Sequence, residues 1–286
     1  MVKVIQTFQS TADFLKEAQP ALEANEPANN LMYGLALWVQ RFPERFQPPP
    51  YAGVVRGAGE VQAAALMTPP HNLIVLSTDN DSSGEAFDLV ARNLRQEGWT
   101  VPGVLGPKDA ALAFAKAWRS LTGEAYALGV HERAYELRQV LPPPQPPGRM
   151  RLAGLDELDL MAAWLYQFHR EATTGEQSTL EELRDGAQLK IQDQHFFLWD
   201  DDGPVALAGK TRPTPNGCCI GPVYTPLEFR RKGYATALTA ALSQLLLDEG
   251  KQFTALFTDL GNPVSNSIYQ KIGYRPLCDF DEYRFG

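Results

Sequence analysis

Gly221-Pro-Val-Tyr-Thr-Pro-Leu-Glu-Phe-Arg-Arg-Lys-Gly-Tyr-Ala-Thr236 is the stretch that decides the fold of this chain. A short β-branched run leads into a turn, three cations follow, then Gly233, then an apolar periodic segment from Ala235 to Glu249. The order predicted is strand, cationic loop, helix. Such a loop gathers free backbone N–H groups and the positive end of a helix dipole at one point, where a phosphate or pyrophosphate would be held. Gly233 lets the backbone approach the anion, and Ala235 keeps the next position free of bulk. Lys232 precedes its glycine, so the loop is not of the Walker type, and a single glycine does not make a dinucleotide fingerprint.

Arg230-Arg231-Lys232-Gly233-Tyr234-Ala235 resembles the Arg/Gln-x-x-Gly-x-Gly/Ala signature of the GNAT superfamily of acyl-CoA-dependent N-acyltransferases. A second stretch strengthens the resemblance. Asn262-Pro-Val-Ser-Asn-Ser-Ile-Tyr-Gln-Lys-Ile-Gly-Tyr274 opens with an N-cap asparagine and a proline at the first helical position, and stops at Gly273. Val264, Ile268 and Ile272 are predicted to face the core, with Asn262, Asn266 and Tyr269 on another shared face. This helix is similar to the family's second signature, Asn-x-x-(Ala/Ser)-x-x-x-Tyr-x-x-x-Gly-Phe/Tyr.

The chain has 286 residues, enough for two domains of ordinary size. Its apolar and charged fractions are those of a soluble globular protein. There is no apolar run of about eighteen residues to span a membrane, and Met1-Val-Lys-Val-Ile-Gln-Thr-Phe has no signal core, which points to the cytoplasm. Cys218, Cys219 and Cys278 suit neither a disulfide framework nor a metal site and read as thiols in strands. The net charge of −8 argues against nucleic acid as a partner and is compatible with a cationic amine.

Two halves give nearly the same element list. In the first, helices are predicted at Thr11 to Leu22 and Asn29 to Val39, and strands at Ala52 to Val55, Val61 to Met67 and Leu73 to Ser77. Helix Glu85 to Glu97, strand Val101 to Leu105, helix Asp109 to Leu121 and an extended stretch Ala125 to Val140 follow. In the second, a short strand at Arg151 precedes helices Leu155 to Ala172 and Leu180 to Gln192 and strands Phe196 to Asp200, Pro204 to Thr211 and Cys219 to Thr225. The long helix, strand Phe253 to Thr258, the Asn262 helix and a last strand to Phe285 complete it. This is the GNAT order written twice. The fold class expected is α+β, a mixed α/β sandwich of two tandem GNAT-like domains, each a mixed, mostly antiparallel sheet flanked by helices. The boundaries are 1–141, a polyproline linker at 142–149, and 150–286. Where the second copy has its cations, the first has Asp79-Asn-Asp-Ser-Ser-Gly84, whose carboxylates would repel a pyrophosphate. The first copy is therefore expected to be degenerate and structural.

The resemblance implies an opening between the strand ending at Thr225 and the one ending at Thr258, with acetyl-CoA as co-substrate and no metal. Val223, Tyr224 and Thr225 would pair with the pantetheine arm, and Arg230, Arg231, Lys232, Gly233, Tyr234, Ala235 and Thr236 would meet the pyrophosphate, with Asn262 and Asn266 on the helix beyond. Tyr269 matches the family's tyrosine that serves the departing thiolate. The partners implied are acetyl-CoA and a small amine-bearing acceptor, on a monomer or homodimer. For the base the sequence leaves several groups open: Glu171 beside Trp164 and Phe168, then His169, Glu176 or a water chain. An acyl-CoA-binding regulatory or interaction module without turnover is the alternative from another class.

Overall fold

A computed structural model describes residues 2–78, 84–172 and 178–286, without the side chains of 172 and 263–265. The first ten elements are β1 (Lys3–Thr7), α1 (Thr11–Glu23), α2 (Glu26–Arg41), β2 (Tyr51–Gly57), β3 (Glu60–Met67), β4 (Leu73–Ser77), α3 (Gly84–Gln96), β5 (Gly103–Pro107), α4 (Lys108–Thr122) and β6 (Tyr126–Leu137). The second ten repeat that order: β7 (Arg149–Leu152), α5 (Leu158–Ala172), α6 (Leu180–Gln192), β8 (Phe196–Asp200), β9 (Pro204–Thr211), β10 (Gly217–Tyr224), α7 (Tyr234–Asp248), β11 (Phe253–Asp259), α8 (Pro263–Lys271) and β12 (Arg275–Phe285). The repeat read from the sequence lacked only β1, whose five residues are too few to show a period.

The compact units do not follow the sequence division at 141 and 150. One unit is Met1–Ala134 with Leu277–Gly286, and the other is Tyr135–Pro276. The reason is pairing at long range. In the first unit β12 lies antiparallel to β5, from Phe280 opposite Pro107 to Arg284 opposite Gly103. The last residues of β6, Tyr135–Leu137, pack instead in the second unit, with Leu256 of β11 and Ile272.

In the first unit the strand order is β1-β2-β3-β4-β5-β12-β6. Alternation along the strands gives the sheet two apolar faces. Ala52, Val54, Ala64, Leu66, Ile74 and Leu76 pack under α1 and α2, while Val55, Ala63, Ala65, Met67, Leu73 and Val75 pack under α3 and α4. The β4–β5 pair is parallel, at Leu73–Val104 and Ile74–Leu105. At the next step the strands stay together: a Cβ on Gly106 would stand 2.5 Å from the Val75 carbonyl oxygen. The expectation based on Asp79 and Asp81 lies outside the described residues.

In the second unit the order is β6-β11-β10-β9-β8-β7. Phe196 and Leu198 of β8 face α5 and α6, and Phe197 and Trp199 face α7. Burying side chains of this size contributes about 2–3 kcal/mol each, enough to fix which face each helix covers. Trp199 also donates its indole N–H to the Pro147 carbonyl at 2.8 Å, which ties the end of the proline-rich segment to this unit. Among the described residues no helix is long and apolar enough to cross a membrane.

Gly106→Ala should destabilise the protein by about 2 kcal/mol in urea unfolding, because a backbone carbonyl, and not a flexible side chain, occupies the space its methyl needs. Unchanged stability would mean that β4 and β5 part more easily than this contact allows.

Candidate functional site

The second unit holds together the residues that the two sequence motifs single out. Its parallel pair, β10 with β11, is hydrogen-bonded from Gly217–Phe253 to Cys219–Ala255 and, among the described residues, no further. Both strands nevertheless continue, β10 to Tyr224 and β11 to Asp259. The strand β10 bulges between Ile220 and Val223 against β9, then resumes pairing at Val223–Ala208 and Tyr224–Leu207. A bulge re-aims a strand, and the direction of a Cβ on Gly221 is open space. Backbone groups alternate between the two edges of a strand, so the end of β10 offers amide groups on the side β11 has left.

The cationic loop follows directly. Leu227–Phe229 form a single 3-10 turn closed by Phe229 N–H to Pro226 and Arg230 N–H to Leu227. Arg231 then takes φ 62° and Gly233 φ 89°, both left-handed. Helix α7 starts with no side-chain cap. Among the described residues, none of the N–H groups from Arg231 through Thr236 donates to the protein. Orphan donors at a helix start, preceded by left-handed residues, form an anion-binding concavity. Arg231, Lys232 and Gly233 are exposed, Lys232 lying over the Phe229 ring at 5.5 Å. Tyr234 is buried, its hydroxyl donating to Asp201 at 2.5 Å. Ala235 and Thr236 are half-buried at the first turn.

Helix α8 follows Asn262 and ends before Gly273, which takes φ 107°. Asn266 acts as a clamp: its amide N–H groups donate to Asp259 and Asn262 carbonyls at 3.0 and 2.8 Å, and its Oδ1 accepts from the Tyr135 hydroxyl at 2.9 Å. Asn262 closes the same turn, its N–H donating to Asp259. Tyr269 differs from the face predicted for it. It packs with Tyr135, Leu256, Ile272 and Tyr274 and is 9% exposed, its ring edge-on to Tyr274 at 6.0 Å. Burial pushes its phenol up to about 12, helped by the charge of Cys219, the last β10 residue paired with β11. Among the described residues its hydroxyl has no hydrogen-bond partner, whereas the Tyr274 hydroxyl is held by Ser243 and Thr254.

Glu171 stands at the end of α5, beside the end of β10. Its Oε2 accepts from Arg230 at 2.6 Å and its Oε1 from the Tyr224 hydroxyl at 3.4 Å. Arg230 also donates its Nε to the Thr225 carbonyl at 2.8 Å and lies over the Tyr224 ring at 5.7 Å. The Thr225 hydroxyl oxygen is buried without a partner among the described residues. Trp164 packs near Tyr224, with ring centroids 6.3 Å apart. Glu176 lies outside the described residues. Burial pushes the Cys218 thiol up to about 12 and that of Cys278 up to about 11, the opposite of what a nucleophilic thiolate needs. Among the described residues no group of His, Cys, Asp or Glu is assembled that could hold a metal ion.

Tyr135 and the Asp259 turn hold the second motif in place and were not singled out in the sequence, whereas Tyr274 closes that motif. Tyr135 is 131 positions from Asn266, and only the alternation of β6 hints that it faces inward.

The fold, with its element order written twice, is similar to that of solved GNAT acetyltransferases, one of them a tandem GNAT protein. Residues 201–285, which carry the loop and both motifs, match the family model described as FR47-like protein. A GCN5-related N-acetyltransferase from Sphaerobacter thermophilus is similar in structure, with a TM-score of 0.63 at 19% identity over 99% of this chain and 95% of that one. A GNAT-family acetyltransferase from Colwellia psychrerythraea gives 0.58 at 13% over 99% and 100%. A tandem GNAT protein from the clavulanic acid biosynthesis pathway gives 0.57 at 15% over 99% and 98%. Comparison of the sequence with curated proteins finds no match.

Because the Tyr269 phenol is raised in the folded protein, its neutral form stabilises the fold fully below about pH 10, and that stability is lost as pH rises through about 12. Tyr269→Phe should therefore flatten the alkaline fall in unfolding free energy over that window by roughly 2 kcal/mol. An unchanged pH profile would show that the phenol is not buried in solution.

Proposed function

We propose that the second unit transfers an acetyl group from acetyl-CoA to an amine. The observation that carries this reading is the run of N–H groups from Arg231 to Thr236 that have no protein partner among the described residues, together with the end of β10 that runs on beyond its pairing with β11. The loop N–H groups, with Arg231 and Lys232, would hold the pyrophosphate on a chain otherwise acidic. Val223, Tyr224 and Thr225 would take the pantetheine amides as a strand is added to a sheet edge. In that register the thioester carbon comes to the bulge, where a backbone N–H at Val223 would donate to the developing oxyanion.

The acceptor must arrive as a free amine, since an alkylammonium has no lone pair to attack with. Its nitrogen bonds to the thioester carbon, the C–S bond breaks, and the electron pair leaves on sulfur. Glu171 takes the proton from the amine, and Tyr269 donates to the departing sulfur. Asn262 and Asn266 hold the turn that carries the Tyr269 helix. The cysteines have no part in direct attack. The depth of Tyr269 in the core favours a second reading, an acyl-CoA-binding module without turnover.

Isothermal titration with acetyl-CoA tests the first step. Binding should weaken at least about tenfold, or ~1.4 kcal/mol, when Arg231 and Lys232 are both replaced by alanine. No binding to the unmodified protein overturns the acyl-CoA reading. Release of CoA in the presence of amine acceptors then separates the two readings. For the enzyme, Tyr269→Phe should lower kcat by about 10- to 100-fold with little change in KM for acetyl-CoA. Binding with no CoA release across an amine panel would favour the module.

A further inference from the structure

We propose that Arg230 is a positioning residue that couples occupation of the anion loop to the readiness of both Glu171 and the strand end. This rests on the acyl-CoA reading above. Arg230 opens the run of three cations, yet its guanidinium is spent on the end of β10 and on α5. Its Nε is 2.8 Å from the Thr225 carbonyl oxygen and its Nη2 is 2.6 Å from Glu171 Oε2.

Each of these contacts occupies something the reaction needs. The Thr225 carbonyl is an acceptor at the end of β10, where a strand-like amide ligand would bond, and Arg230 fills it. Glu171 is held by Arg230 on one oxygen at 2.6 Å and, at a longer 3.4 Å, by the Tyr224 hydroxyl on the other, so the guanidinium charge lowers its readiness to take a proton from the amine. The buried Thr225 hydroxyl beside them has no partner among the described residues. The cluster's charges are paired with one another, while among the described residues the loop N–H groups a few residues on have no protein partner.

Arg230 has one charge to place. Its pair with Glu171 is partly exposed, at 36% for the arginine side chain and 41% for the carboxylate, and such pairs are weakly held. A pyrophosphate at Arg231–Thr236 carries more negative charge than one carboxylate and binds guanidinium in the same forked way. Arg230 would transfer to it by rotation of its own side chain. That single move would uncover the Thr225 carbonyl for the pantetheine amide and free one oxygen of Glu171 for the amine. The base would be armed only when the acyl donor is seated.

The test compares two donors by isothermal titration: acetyl-CoA, and S-acetylpantetheine, which has the same amides and thioester but no phosphate. In Arg230→Ala the Thr225 carbonyl is uncovered and a phosphate ligand is lost. Acetyl-CoA should bind about threefold more weakly and S-acetylpantetheine about threefold more tightly. Glu171→Gln, which releases Arg230 without removing it, should tighten acetyl-CoA by about threefold. A purely structural role for Arg230 would weaken both donors together. Parallel weakening in Arg230→Ala, or unchanged acetyl-CoA binding in Glu171→Gln, overturns the inference while leaving the acyl-CoA reading in place. Failure of the unmodified protein to bind acetyl-CoA overturns both.

Discussion

The parting of β10 from β11 after Cys219 is the constraint on which the site depends. A sheet strand left without a neighbour must find other partners for its amides, because unpaired backbone groups out of water cost about 1–3 kcal/mol each. The protein manages this locally. The bulge between Ile220 and Val223 turns the strand end, the 3-10 turn at Leu227–Phe229 closes two N–H groups, and Arg230 caps the Thr225 carbonyl. What stays open among the described residues is the row of donors at the start of α7. On the far side, β11 keeps its place because Asn266 ties the Asp259 turn to α8 and to Tyr135. The gap is thus braced from both strands.

The first unit shows what the same topology does without that parting. Its equivalent pair, β4 and β5, is also parallel and also short in register, but Gly106 lies against the Val75 carbonyl. The other edge of β5 is taken by β12. Among the described residues, β4 and β5 thus lie close one step beyond their last paired residues.

Local patterns were legible and distant pairings were not. Alternation in Phe196–Asp200 and the spacing of Ile268 and Ile272 gave strand and helix correctly, because each reflects one element against one core. The loop motif was legible because Gly233 and the uncapped helix start are encoded within a few residues. The packing of Leu277–Gly286 with the first unit could not be read, since a strand's own sequence does not say which edge it joins. Nor could the Arg230–Glu171 pair, 59 positions apart: each residue stood out for its own chemistry, and only the fold makes them neighbours. Tyr269 shows the limit of face arguments. A helix packed between β6, β11 and α7 has more than one buried face, so being off the isoleucine stripe did not keep it from the core.

That burial bears on what Tyr269 can do in the reaction proposed. A phenol near 12 facing a thiolate with an ordinary thiol value near 8.5 would give up its proton uphill, by about 5 kcal/mol. Complete transfer is therefore a poor description of its part. A hydrogen bond from an un-ionised phenol has no such penalty, and in a site shielded from water it stabilises negative charge more strongly than it would in bulk. The neighbouring Tyr274, held by Ser243 and Thr254, is committed to the core, whereas the Tyr269 hydroxyl has no protein partner among the described residues. On this argument Tyr269 would act by donating to the sulfur as its charge grows, and the proton that finally neutralises the thiolate would come from elsewhere. The amine's own proton, passed to Glu171 once Arg230 has moved, is the one the reaction sets free.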